Sequence, residues 1–257
     1  MQRKTKLTFA TMNLITGATG ILGSHLMVML LRKGRKVRAL RRPNASIALW
    51  NRLVVYFGVT PEQLNLLEWV EGDVLDIPSL EDAMHGCTHV YHCAAIVSYH
   101  PADRVMMYET NVEGTANVVN CCASLGIEKL IHISSIASLG KVPFLGATPG
   151  DLTKVDETFP WDPAAEVSDY SISKFKSEME VWRGQEEGLS TLILNPGVIV
   201  GPGFWNDSSA RLFQTVQGGL PFFSPGTTGY VSVWDVARAA VWGLETEVSG
   251  ERFVLVA

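Results

Sequence analysis

Met12-Asn13-Leu14-Ile15-Thr16-Gly17-Ala18-Thr19-Gly20-Ile21-Leu22-Gly23 reads as a strand that runs into a glycine turn and then into a helix. Met12 to Thr16 is a short apolar run that suits a buried parallel strand. Beyond the glycines, Leu22, Leu26, Met29 and Leu30 recur at helical spacing. Each glycine has a separate use. Gly17 allows the tight turn, Gly20 lets the backbone approach a pyrophosphate, and Gly23 lets helix and strand pack closely. The helix N-terminus adds free N–H groups and a partial positive charge. The segment therefore predicts a dinucleotide phosphate site, with Gly17, Thr19, Gly20, Ile21, Leu22 and Gly23 in contact. The competing interpretation is a plain glycine turn between strand and helix.

Outward from this segment, strand and helix patterns alternate. Strands are expected at 12–16, 36–40, 67–71, 88–93, 129–134, 190–195 and 251–256. Helices are expected at 21–33, 45–57, 78–85, 103–125, 168–187 and 234–245. This alternation predicts an α/β fold, a Rossmann-type doubly wound parallel sheet with helices on both faces. Residues 1–195 are read as the dinucleotide-binding domain, with 1–11 as a flexible leader. Residues 196–257 are read as segments of a small, incomplete substrate lobe plus returning Rossmann elements at 234–257. The chain ends on a strand pattern, which suits either a short protein of its kind or a truncated sequence. Residues 140–166, rich in Gly, Pro, Asp and Thr, are expected to form a long loop. Trp50, Val54, Tyr56 and Phe57 suggest an extra apolar helix on the edge or a subunit contact.

The 257 residues are 47% hydrophobic and 18% charged, enough for one large core. A net charge of −5 argues against a general nucleic-acid surface. No apolar run approaches the roughly 20 residues of a membrane span. The basic start, Met1 to Lys6, is rejected as a signal because the next apolar run is the first strand itself. Cys87, Cys93, Cys121 and Cys122 show neither a CxxC pair nor His/Cys metal spacing, so no metal is expected. Reduced thiols fit a cytoplasmic protein.

Tyr170-Ser171-Ile172-Ser173-Lys174 places a phenol and an ammonium four residues apart, on one face of a helix. A free tyrosine has a pKa near 10. A nearby ammonium and a positive nicotinamide ring would favour its phenolate, making Tyr170 an acid/base, while Lys174 holds ribose hydroxyls. Arg41-Arg42 follows the second strand where an acidic residue would read the NAD ribose, so NADP is favoured over NAD. A solvated basic loop is the bland reading of the same pair. Ala94 and Ala95 are small enough for the cofactor to lie across the fourth strand end. His92 beside them is read as a packed core residue.

The GxxGxxG spacing, the Tyr170/Lys174 pair, the strand-end Ser134-Ser135 and Asn111-Val112-Glu113-Gly114-Thr115 together resemble the extended short-chain dehydrogenase/reductase superfamily. The resemblance spans residues 12 to 257 and looks nearest its dihydroflavonol reductase-like and NAD(P)-dependent epimerase/dehydratase group. It implies that Ser135 orients the reacting oxygen with Ser134 in support, and that Asn111 supports the site. It also implies that Asp73 and Val74 meet the adenine, and that Pro196, Gly197 and Val198 meet the nicotinamide. Asp76 looks instead like a helix cap, as does Asp235. Asn195 stands where many sugar-nucleotide members carry arginine, and Ile136 where a dehydratase would want an acid.

The first expectation is hydride transfer to or from a carbonyl compound or alcohol. The second is a nucleotide-sugar epimerase or dehydratase holding NAD tightly. The third is a non-catalytic NADP-sensing protein. The superfamily's habit implies a homodimer through helices 103–125 and 168–187. Phe144, Phe204, Trp205, Phe222, Phe223 and Tyr230 suggest an apolar or ring-bearing pocket.

Overall fold

The computed structural model describes residues 11–140, 155–203, 210–219 and 228–257. In the first half β1 (Met12–Thr16), α1 (Ile21–Arg32), β2 (Lys36–Arg41), α2 (Ala48–Tyr56), α3 (Pro61–Leu64), β3 (Leu67–Glu71), α4 (Ile77–Met84), β4 (His89–His92), α5 (Arg104–Tyr108) and α6 (Gly114–Ser124) follow in order. The second half holds β5 (Lys129–Ile133), α7 (Asp169–Glu186), β6 (Thr191–Pro196), β7 (Val198–Val200), α8 (Ala210–Gln217), β8 (Tyr230–Ser232), α9 (Val233–Glu245) and β9 (Glu251–Leu255).

Among the described residues, seven strands form one sheet in the order β3-β2-β1-β4-β5-β6-β9, all pairs parallel. Successive side chains point to opposite faces, and the burial follows suit. Ile15, Ala39, Tyr91, Ile131 and Leu192 pack with α1 and α9 on one face. Leu14, Leu40, Val90, Leu130 and Ile193 pack with α4, α6 and α7 on the other. Burial on both faces explains why these strands read as continuous apolar runs. After β1 the chain turns to β2 on one side and later returns to β4 on the other. The glycine turn therefore sits at the topological switch point, the place where sheets of this kind offer a crevice outside their strand ends.

The helix expected over 103–125 is divided. A 3-10 turn at Pro101–Asp103 leads into α5, a π-helical turn occupies Glu109–Glu113, and α6 follows. In α2, Leu49, Trp50 and Leu53 are buried, whereas Val55 and Tyr56 face outward. Asp235 is not the cap of α9. Ser232 is, its hydroxyl accepting the Trp234 N–H at 3.2 Å. Asp76 does hold the N-cap position of α4, without a side-chain hydrogen bond. β7 and β8 form a separate two-stranded parallel pair that the sequence pattern did not announce.

Candidate active site

The glycine turn divides as its spacing predicts. Gly17 has φ +67°, and a Cβ there would lie 2.6 Å from the Ala94 nitrogen. A Cβ on Gly23 would lie 2.3 Å from the Gly17 carbonyl oxygen. Both glycines are thus required by the protein's own packing. Among the described residues, a Cβ on Gly20 would meet nothing closer than 3.4 Å, so they leave that side of the turn open. Gly20 is also the N-cap of α1, with no side chain capping the helix and no acid in its first turn. An open backbone facing an uncapped helix start fits a pyrophosphate. Thr19 and Ile21 are half-buried at its rim, while Leu22 packs inward.

The β2 end carries a feature that spacing alone hides. Arg41 faces Glu71 across the β2–β3 ladder, and its Nη2 donates to Oε1 at 2.9 Å. Arg42 is exposed. Asp73 is half-buried, with Oδ1 accepting the Leu75 N–H at 3.0 Å. The Val74 side chain is buried, and a Cβ on Gly114 would lie 2.7 Å from it. Ala94 and Ala95 lie just past β4, the first half-buried and the second exposed. The N–H groups of Gly197 and Val198 are taken by the Leu255 and Gly229 carbonyls at 2.9 and 2.8 Å. Those two amides are therefore unavailable to a ligand, which narrows the contacts expected from Pro196 to Val198.

Tyr170 and Ser135 meet beside this crevice. Ser135 caps the short 3-10 turn Ile136–Leu139, accepting the Ala137 N–H at 3.2 Å, and lies beside the Tyr170 side chain. Tyr170 lies in the first turn of α7, which Ser168 caps by accepting the Ser171 N–H at 3.1 Å. Burial pushes the phenol up to about 12, while the Ser135 hydroxyl pulls the other way and Tyr99 adds to the rise. Tyr99 lies edge-on over Tyr170, with ring centroids 5.9 Å apart. Lys174 is buried, and its Nζ donates to the Ile133 carbonyl at 2.9 Å. Burial pushes this ammonium down to about 8, against the pull of Glu178 and Cys93. The expectation that Lys174 lowers the tyrosine is not met in the protein alone. The ammonium is turned to a strand carbonyl, and desolvation governs the phenol.

Asn111 sits in the π-helical turn with its amide fully paired. Oδ1 accepts the Ile96 N–H at 2.7 Å, and Nδ2 donates to Ile96 O at 2.9 Å and Ser173 Oγ at 3.0 Å. It therefore ties the loop after β4 to α7. His92 bridges Thr16 Oγ1 at 2.7 Å and Thr115 Oγ1 at 2.9 Å, a satisfied core histidine as expected. Ser134 turns inward and donates to Glu178. Glu178 escaped the sequence reading. The period of four through Tyr170, Lys174 and Glu178 was the available signal, since it puts a carboxylate on the face that carries the buried lysine. Phe144, Phe204, Trp205, Phe222 and Phe223 lie outside the described residues; Tyr230 is 39% exposed. Among the described residues no group of His, Cys, Asp and Glu could hold a metal, and no helix is long and apolar enough to cross a membrane.

Comparison with known proteins agrees with this geometry. Residues 13–255 match the family described as the NAD dependent epimerase/dehydratase family. The chain belongs to that family. It is thereby an enzyme of the extended short-chain dehydrogenase/reductase superfamily. It is 32% identical over 246 residues to sterol demethylase protein B of Methylococcus capsulatus, covering 94% of this chain and 68% of that protein. It is 29% identical over 248 residues to cinnamoyl-CoA reductase 1 of Petunia hybrida, covering 93% and 71%. A Thermus thermophilus UDP-glucose 4-epimerase solved with NAD superposes with a TM-score of 0.74 at 28% identity, covering 96% of this chain and 78% of that one. The chain spans about two thirds of the length of its first curated relative.

Proposed function

We propose that this chain is the dinucleotide-binding and catalytic part of an NADP-dependent reductase acting on a small-molecule carbonyl. The observation that carries the reading is that Ser135, at the end of β5, and the buried phenol of Tyr170, at the start of α7, are brought together. With its pKa pushed up to about 12, Tyr170 stands protonated at neutral pH, which is the form that a reduction consumes. NADPH held at the glycine turn would supply the hydride for the carbonyl carbon. Ser135 donates a hydrogen bond to the carbonyl oxygen and fixes its position. As charge develops on that oxygen, Tyr170 gives up its phenolic proton and the alcohol results. Lys174, whose Nζ rests on the Ile133 carbonyl, would hold the cofactor ribose. Asn111 keeps the loop after β4 in register with α7.

The arginines support NADP. The Arg41–Glu71 pair is partly exposed, and such pairs contribute about 0–1 kcal/mol, so a 2′-phosphate can outcompete it. Arg42 stands exposed beside it. A relative named as a reductase supports the reaction class. A structure of an epimerase with NAD supports the second reading, a nucleotide-sugar epimerase or dehydratase. Asn195 and Ile136 weigh against that alternative. Four free cysteines favour a cytoplasmic protein. The exposed Val105, Met106, Tyr108 and Met179 on α5 and α7 support a homodimer through those helices.

The test is a fluorescence titration with NADPH and NADH, after identifying any nucleotide that copurifies. Exchangeable binding with preference for NADPH, reduced in Arg41→Ala and Arg42→Ala, supports the reductase. Tightly held NAD without NADPH preference overturns it in favour of the epimerase.

A further inference from the structure

Glu178 is fully buried one turn beyond Lys174. An isolated carboxylate in such a place is costly, so its partners decide what it does. Oε1 accepts from Ser134 Oγ, from Ser138 Oγ at 2.5 Å and from Asn195 Nδ2 at 2.6 Å. Oε2 faces Arg252 Nη1 of β9 at 3.4 Å. The partners thus come from the end of β5, the turn after it, β6 and β9. Two of them reach back to the site. Ser138 Oγ contacts the Ser135 carbonyl at 2.7 Å, and Asn195 Nδ2 donates to the same oxygen at 3.1 Å. The single Ser138 hydrogen serves only one of these acceptors at a time, so Asn195, with two N–H groups, is the partner that joins Glu178 to the Ser135 carbonyl.

The same carboxylate supplies negative charge to Lys174. Around that ammonium stand Glu178 on α7, His92 and Cys93 from β4 and its end, and His132 from β5. Arg252 reaches Glu178 from β9 and competes for its charge. Both histidines are held neutral by burial, and burial raises the Cys93 thiol. Glu178 is thus the anionic group that faces the lysine.

We propose that Glu178 is a positioning residue that fixes the Ser135 peptide through Asn195 and acts on the charge of Lys174, one turn away on the same face of α7. The proposal rests on the reading of Ser135 and Lys174 as reacting-site groups. It is tested first without any reaction. Lysine side chains carrying carbon-13 at the ε position are titrated by NMR in the whole chain, with Lys174→Met identifying the resonance. The native midpoint is expected at about 8. Glu178→Gln should lower it by about one unit, the scale of a close opposite charge. Glu178→Asp, which keeps the charge, should stay nearer to native. An unchanged midpoint in Glu178→Gln overturns the proposal. If that variant does not fold, Arg252→Met serves: removing the competing cation should raise the midpoint, and no movement overturns the idea. The alkaline limb of the kcat/KM profile should move with the midpoint. Inactivity towards every carbonyl would defeat the proposed function while leaving the lysine titration to stand or fall by itself.

Discussion

At the scale of the residue, the glycines of the turn separate two roles that one sequence pattern joins. A Cβ on Gly23 meets backbone at 2.3 Å, whereas one on Gly20 meets nothing closer than 3.4 Å. Gly23→Ala should therefore cost about 1–3 kcal/mol of stability as the turn is forced apart. Gly20→Ala should melt within a few degrees of native yet bind dinucleotide at least about tenfold more weakly, since only the ligand needs that space. Paired melting curves and cofactor titrations check both, and equal loss of stability in the two variants would refute the division. Under the proposed function, Tyr170→Phe removes the proposed proton donor but keeps the ring. Turnover should fall by about 10²–10⁴ with cofactor affinity nearly intact, and retained turnover would show that another group moves the proton. These residues were legible because their spacing carries their chemistry. Glu178 and the Arg41–Glu71 pair were not. Their roles depend on which side chains the fold brings opposite them, and a strand register cannot be read from one strand.

At the scale of the element, apolar runs bounded by glycine and charge gave the seven sheet strands to within two residues. The elements that went unseen are short. α3 has 4 residues, β7 and β8 have 3 each, and α8 has 8. Such lengths hold too few turns or alternations to show a period. The π-helical turn was hidden for another reason: helical spacing continues through it, and what marks it is the extra residue that swings Asn111 towards Ile96 and Ser173. That amide leaves no spare hydrogen-bonding group on either side. Asn111→Leu would strand the Ile96 N–H and carbonyl, while the Ser173 hydroxyl would keep its bond to the Tyr170 carbonyl. The expected loss is about 2–4 kcal/mol, and a melting temperature lower by roughly 5–15 °C. Hydrogen exchange should quicken in the loop after β4 before it does in the sheet. Unchanged exchange at Ile96 would mean that the turn is held by something other than this amide.

At the scale of the whole molecule, the buried histidines make stability depend on pH in a definite direction. His92 is pushed down to about 3 by burial, with the Lys174 charge adding to the fall, and His132 is lowered well below its usual value for the same reasons. In the unfolded chain each titrates near 6.5. Above that pH both states hold the histidines neutral and nothing is gained or lost. As pH falls below 6.5 the unfolded chain takes up protons that the folded protein refuses, so stability declines. Each histidine contributes a slope of about 1.4 kcal/mol per pH unit, hence about 4 kcal/mol for the pair between 6.5 and 5. For a domain of this size that is a fall of roughly 8–16 °C in melting temperature. The two residues are not equivalent as targets. His92 is bonded at both nitrogens, whereas His132 Nδ1 has no partner and its Nε2 lies 3.5 Å from Ser177 Oγ. His132→Phe therefore removes one titrating ring without stranding a strong hydrogen bond. Its melting temperature should fall about half as steeply with acid as the native protein's does. Equal steepness in the two would assign the acid sensitivity to other groups.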